Sequence, residues 1–134
     1  MKLSSVNNLV NRISKGETQT REFKSSFSKE VVETLTAFAN SIGGCIYIGI
    51  DDNGKVKGIE IGKETLQNWQ NQIKLNTNPS LFPDIEVLNI DNKKVVCLII
   101  QEHPIKPVCC KGKYYLRKKN ANHQMAITEI SDLI

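Results

Sequence analysis

Apolar residues recur at helical spacing in several parts of the chain and run nearly unbroken in others. Val6, Leu9, Val10 and Ile13 form one stripe, which predicts a helix over 4–14 capped by Ser4 or Ser5 and ended at Gly16. Residues 19–25 (QTREFKS) read as a first strand. Val31, Val32, Leu35, Phe38 and Ala39 predict a second helix over 29–41 behind Ser28, stopped by Gly43-Gly44. The run CIYIGI at 45–50 is almost wholly apolar and bounded by turn signals, as a central strand buried on both faces requires. Asp52-Asn53-Gly54 is a tight-turn signal, so Lys55–Ile59 is expected to be the hairpin partner of that strand. Leu66, Trp69 and Ile73 place a third helix over 63–76, with Trp69 in the core. A proline-punctuated loop covers 78–84. Strands over 85–90 and 94–100 form a second hairpin through Asp91-Asn92-Lys93. KYYLR at 113–117 is a further strand, and 125–133 a last short helix.

The order β-α-β-β-α-β-β-β implies an α+β fold, with a mixed β-sheet of about six strands and three to four helices packed on it. We expect one domain over 1–134: an N-terminal helix at 1–15, a core at 16–120 and a C-terminal segment at 121–134. With 134 residues, 40% hydrophobic and 24% charged, the chain can fill one core without disulfides or metal. The cysteines contain no CxxC pair, Cys109 and Cys110 are adjacent, and His103 and His123 lie far apart, so no zinc framework is expected. No signal peptide and no run of about 20 apolar residues is present, which makes a cytoplasmic protein with reduced thiols and no membrane partner the expectation.

The net charge of +4 is small, and its placement matters more. Between Lys106 and Lys119 stand six cations and no acid: Lys106, Lys111, Lys113, Arg117, Lys118 and Lys119. Such a segment suits a phosphate backbone, where each neutralised phosphate releases counterion. Neighbouring strand residues face opposite ways, so one of Tyr114 and Tyr115 turns to the core; Tyr115 is taken as the one that stacks on a base. A solvated edge strand guarded by lysines is the alternative. Neither GxxxxGK[ST] nor GxGxxG occurs, so no residue pattern supports ATP.

The segments Glu17-Thr-Gln-Thr-Arg-Glu22-Phe23-Lys24, Ala37-Phe38-Ala39-Asn40 with Gly43-Gly44, Tyr47-Ile48-Gly49-Ile50-Asp51-Asp52 leading to Gly58, Lys106-Pro107-Val108, and Gly112 to Arg117 form an ordered series. In this series the chain resembles the Schlafen-type Alba-like domain, over about residues 17–120. The resemblance implies a Schlafen/Alba-like fold and a transcriptional-regulator-like, DNA-binding or ATP-binding role, as prokaryotic members are described. Alba-like folds often pair, which makes a homodimer an expectation by analogy. In animal Schlafens a related domain cleaves structured RNA with two glutamates and an aspartate as metal ligands. Carried over, those ligands are Glu17, Glu22 and Asp51, with Lys24 beside them as a catalytic partner and Mg²⁺ or Mn²⁺ as the ion. Asp52 competes with Asp51. Glu17 and Glu22 are five apart and would face opposite sides of a regular strand, so they converge only if Glu17 lies in the loop before it or a bulge intervenes.

Three readings follow. The first is a nucleic-acid-binding domain, for DNA or RNA, with weak sequence specificity. The second is a metal-dependent endoribonuclease or other nuclease using the Glu-Glu-Asp set. The third is an ATP-binding regulatory domain.

Overall fold

A computed structural model describes residues 10, 11 and 13–134, so most of the helix expected over 4–14 lies outside the described residues. The elements are β1 (Arg21–Lys24), α1 (Lys29–Ala39), β2 (Gly44–Ile48), α2 (Thr65–Asn76), β3 (Thr77–Asn78), β4 (Asp84–Ile90), β5 (Lys93–Ile100), β6 (Cys109–Cys110), β7 (Lys113–Lys118), β8 (Ala121–Gln124) and α3 (Ile127–Leu133). They form an α+β fold with two four-stranded sheets, ordered β1-β2-β5-β4 and β3-β6-β7-β8. The first is mixed, because β1 and β2 run parallel across the α1 crossover while β5 and β4 follow antiparallel. The second is antiparallel throughout. None of the helices described is long and apolar enough to cross a membrane.

The central strand is buried on both faces, as its apolar run requires. Ile46 and Ile48 join Val31, Leu35 and Phe38 of α1 in one core; Tyr47 joins Phe23, Ile50 and Val95 in a second core on the opposite face. Helix α1 packs against strands of both sheets, and eight of its eleven residues are buried. Its buried hydroxyls are satisfied within the helix: Thr34 Oγ1 donates to Glu30 O at 2.9 Å and Thr36 Oγ1 to Glu33 O at 2.6 Å. Asn40, 3% exposed, ends the helix and ties it to the second sheet. Its Nδ2 donates to Val108 O at 2.9 Å and Tyr115 O at 2.8 Å, and its Oδ1 accepts from Val108 N at 2.7 Å.

The strands differ in number and grouping from the single sheet of about six expected from the sequence. Lys55–Ile59 is not a strand. Both edges of β2 are taken, by β1 and β5, so the segment after the turn forms no ladder and is held by the bridge between Ile50 and Val56 and by isolated backbone hydrogen bonds to Gly49 and Lys94. Gly49, at φ +111° and with Lys94 O 3.2 Å from where a Cβ would sit, is where the chain leaves the sheet. The short strands β3, β6 and β8 are additional. Trp69 is half-buried and stacks on Phe27, ring centroids 4.9 Å apart and 8° from parallel.

Candidate nucleic-acid interface and acidic pair

A tight turn precedes β1. Thr18 and Arg21 exchange backbone hydrogen bonds at 3.0 and 3.3 Å. The turn folds Glu17 back along the strand, where its Oε2 accepts from Phe23 N at 3.1 Å. Glu17 therefore sits in the loop before the strand, the first of the two arrangements that bring it to Glu22. The two carboxyls share a hydrogen bond. Burial, and then that bond to Glu17, push Glu22 up to about 7 even with Arg117 beside it. Burial also lifts Glu17, but its hydrogen bonds from Glu22 and the Phe23 amide, with the charges of Lys24 and Arg117, outweigh this and hold it below the ordinary carboxylate value.

Arg117 completes the cluster. Its side chain is buried, and Nη1 donates to Glu22 Oε1 at 2.8 Å and Asn122 Oδ1 at 2.9 Å. Nη2 reaches Thr18 O at 2.9 Å and Arg21 O at 3.3 Å, Nε reaches Gln19 O at 3.3 Å, and the guanidinium lies 5.0 Å over the Phe38 ring. This cation joins the two sheets and is closed to phosphate, so it leaves the surface set in which the sequence placed it.

Asp51 does not join Glu17 and Glu22. It lies beyond the end of β2, five positions past Ile46, the residue paired with Glu22. Its Oδ1 accepts from Asn53 N and Lys55 N, both at 2.9 Å, which closes the turn after the strand. Asp52 is exposed on the same turn. Lys24 reaches out to Glu30 at 3.2 Å. Among the described residues no three His, Cys, Asp or Glu side chains converge as a metal set. Mg²⁺ and Mn²⁺ need several ionised oxygen ligands. Here Glu22 is already bonded to the Arg117 guanidinium and Glu17 to the Phe23 amide, and no third carboxylate joins them among the described residues, so the set does not fit such an ion.

The remaining cations fall at the two ends of β7. Lys111, with Gly112, makes the turn from β6, and Lys113 opens the strand; Lys118 closes it and Lys119 begins the turn to β8. All four are exposed. Six residues of strand separate the two groups by about 17 Å. Lys118 lies 3.6 Å from Glu129 of α3, whose carboxylate also meets His123 at 3.1 Å. Lys106 is ion-paired with Glu102. Lys111, Lys113 and Lys119 have no ion pair among the described residues. Lys111 and Lys119 hold φ of 49° and 54°, a left-handed conformation that disfavours residues with a long side chain. Tyr115 is half-buried against the α1 core rather than free to stack. Burial, followed by the nearby Glu33 carboxylate, pushes its hydroxyl above the ordinary value.

Sequence reasoning missed the Glu22–Arg117 pair, formed across 95 positions, and the polar residues of α1 and α2 next to Lys111. The only signal for the pair was the alternation in KYYLRK, which puts Arg117 and Tyr115 on one face.

Residues 17–126 match the family model described as Schlafen, AlbA_2. Among the solved structures that share the fold are these two. One is the DIP2311 protein from Corynebacterium diphtheriae: TM-score 0.71 and 14% identity, over 98% of this chain and 27% of that one. The chain thus spans about a quarter of that protein. The other is the N-terminal domain of a protein from Nitrosomonas europaea named for its relation to the ATP-dependent DNA helicase RecG: TM-score 0.64 and 20% identity, over 90% of this chain and 92% of that domain. No curated protein matches the chain.

Proposed function

The chain belongs to the Schlafen, AlbA_2 family, and from that premise we propose that it is a nucleic-acid-binding domain with weak sequence specificity. One observation carries the reading: the two turns that bound β7 hold Lys111 and Lys119 in left-handed backbone, with Lys113 and Lys118 beside them, all exposed. The third tight hairpin turn of the fold spends the same conformation on Asp91 and Asn92, at φ 51° and 63°, residue types that tolerate it. A lysine in that conformation costs about 1 kcal/mol, and such strain gathers at functional positions. The four lysines neutralise phosphates without reading bases, which gives affinity and register but little sequence preference. A RecG-related protein carrying this fold at its N-terminus is consistent with a module that accompanies nucleic-acid enzymes.

The acidic pair has another role in this account. Glu22 holds Arg117 and, with it, the second sheet against the first, so that β7 keeps its place, while Glu17 is bonded to the Phe23 amide. No bond-breaking step is assigned to them.

The test is retention of labelled RNA and DNA oligonucleotides in low-salt buffer, with and without Mn²⁺. Wild type is expected to bind both and leave them intact, and Lys111→Ala with Lys113→Ala is expected to weaken both. Absence of binding to either, or cleavage that depends on Mn²⁺ and vanishes in Glu22→Gln, would overturn the proposal.

A further inference from the structure

The turn that carries Lys111 and Lys113 overhangs a cleft of about 310 Å³ between the start of α1 and the end of α2. That volume is at the lower end of the range for small-molecule sites. Lys29 of α1 joins the two turn lysines at the rim, and none of the three is ion-paired among the described residues. Val32 and Cys110, 3% and 5% exposed, make an apolar floor.

The walls are polar and only partly satisfied. The Gln72 side chain makes no hydrogen bond to any described residue. Asn76 commits its Nδ2 to Gln72 O at 2.8 Å, which leaves Oδ1 as an acceptor. Glu33 adds a carboxylate that takes a hydrogen bond from the Tyr115 hydroxyl and keeps further acceptor capacity, and its charge is felt at the Cys110 thiol, so it lies close to the floor.

Rim cations, an apolar floor and amide and carboxylate groups on the walls are the complement of one nucleotide. The phosphate suits the lysines, a base face suits the floor, and the base edge suits the amides and Glu33, which accepts from an exocyclic amino group. The geometry points to a seat for a single unpaired nucleotide of a bound strand, its phosphate at Lys111 and Lys113 and its base over Val32 and Cys110. A base inside a duplex is stacked on both faces and paired along its Watson–Crick edge and does not enter the seat, so duplex meets the rim lysines alone. This inference rests on the nucleic-acid reading and adds to it a preference for strands with unpaired nucleotides.

Fluorescence anisotropy at low salt tests it with a 5′-phosphorylated 10-mer single strand and a blunt 20-base-pair duplex. Gln72 is exposed on α2, so Gln72→Trp fills the cleft while leaving every lysine in place. It is expected to weaken the single strand about tenfold, the scale of one lost stacking contact, and to leave the duplex unchanged. Gln72→Ala, with no bulk added, is expected to weaken the single strand by less and also to spare the duplex. Equal effects on the two ligands, or no effect on either, would overturn the seat while the broader reading stands. If wild type retains neither ligand, the broader reading falls with it.

Discussion

Replacing Arg117 by methionine separates a structural cation from a nucleic-acid contact. Methionine keeps most of the stem packed over Phe38 and removes the guanidinium. The guanidinium makes five hydrogen bonds, to Glu22, Asn122 and the carbonyls of Thr18, Gln19 and Arg21, in a site where its side chain has no solvent exposure. Its loss leaves Glu22 buried with no cation beside it and strips partners from three carbonyls. Breaking a buried pair by removing one member costs about 3–5 kcal/mol, a large part of the 5–15 kcal/mol that holds a typical domain. Urea unfolding followed by Trp69 fluorescence measures it directly. Glu22→Gln in the Arg117→Met background removes the abandoned charge and is expected to return about 1–2 kcal/mol. The cost of Arg117→Met is also expected to be smaller at pH 5 than at pH 8, since Glu22 is protonated below about 7. A loss under about 1 kcal/mol, with oligonucleotide binding reduced in the folded protein, would refute this account and return Arg117 to the surface.

Other expectations follow from the same contacts. Asn40→Ala abandons three buried backbone partners at Val108 and Tyr115 and is expected to cost roughly 2–4 kcal/mol in the same urea assay. Glu22, raised to about 7 from an unperturbed 4.5, binds its proton more tightly when folded. Its stabilising contribution is therefore complete below about pH 4.5 and is lost as pH rises through about 7, a decline of about 1–3 kcal/mol that Glu22→Gln should flatten. Lys111→Asn places a residue that tolerates φ 49° at the turn. It is expected to raise stability by about 0.5–1 kcal/mol while weakening oligonucleotide binding.

The sequence read most clearly where one pattern decided the outcome. Both long helices, the doubly buried β2 and the β4–β5 hairpin follow directly from apolar periodicity and turn residues. The split into two sheets was not legible, because β3, β6 and β8 are only two to four residues long, and β3 pairs with β6 across more than thirty positions, Thr77 opposite Cys110. Lys55–Ile59 had a hairpin signal but no free edge to pair with. Arg117 misled for a related reason. Within KYYLRK the apolar choice sends Leu116 inward and Arg117 outward, yet Leu116 is half-exposed and Arg117 buried. What reverses the strand is Glu22, which no local pattern connects to it. A loop position for Glu17 was one of the two arrangements left open, the other being a bulge, whereas Asp51 was drawn into the acidic set by resemblance and is held instead by its own turn.

The salt dependence of oligonucleotide affinity tests the central claim most directly. With Lys111, Lys113, Lys118 and Lys119 each neutralising a phosphate, a log–log plot of affinity against salt should fall with a slope of about −3 to −4. Changing all four to alanine should abolish most of that slope without unfolding the domain. A wild-type slope near zero, or one unchanged in the quadruple variant, would contradict the claim that the turns of β7 carry the interaction.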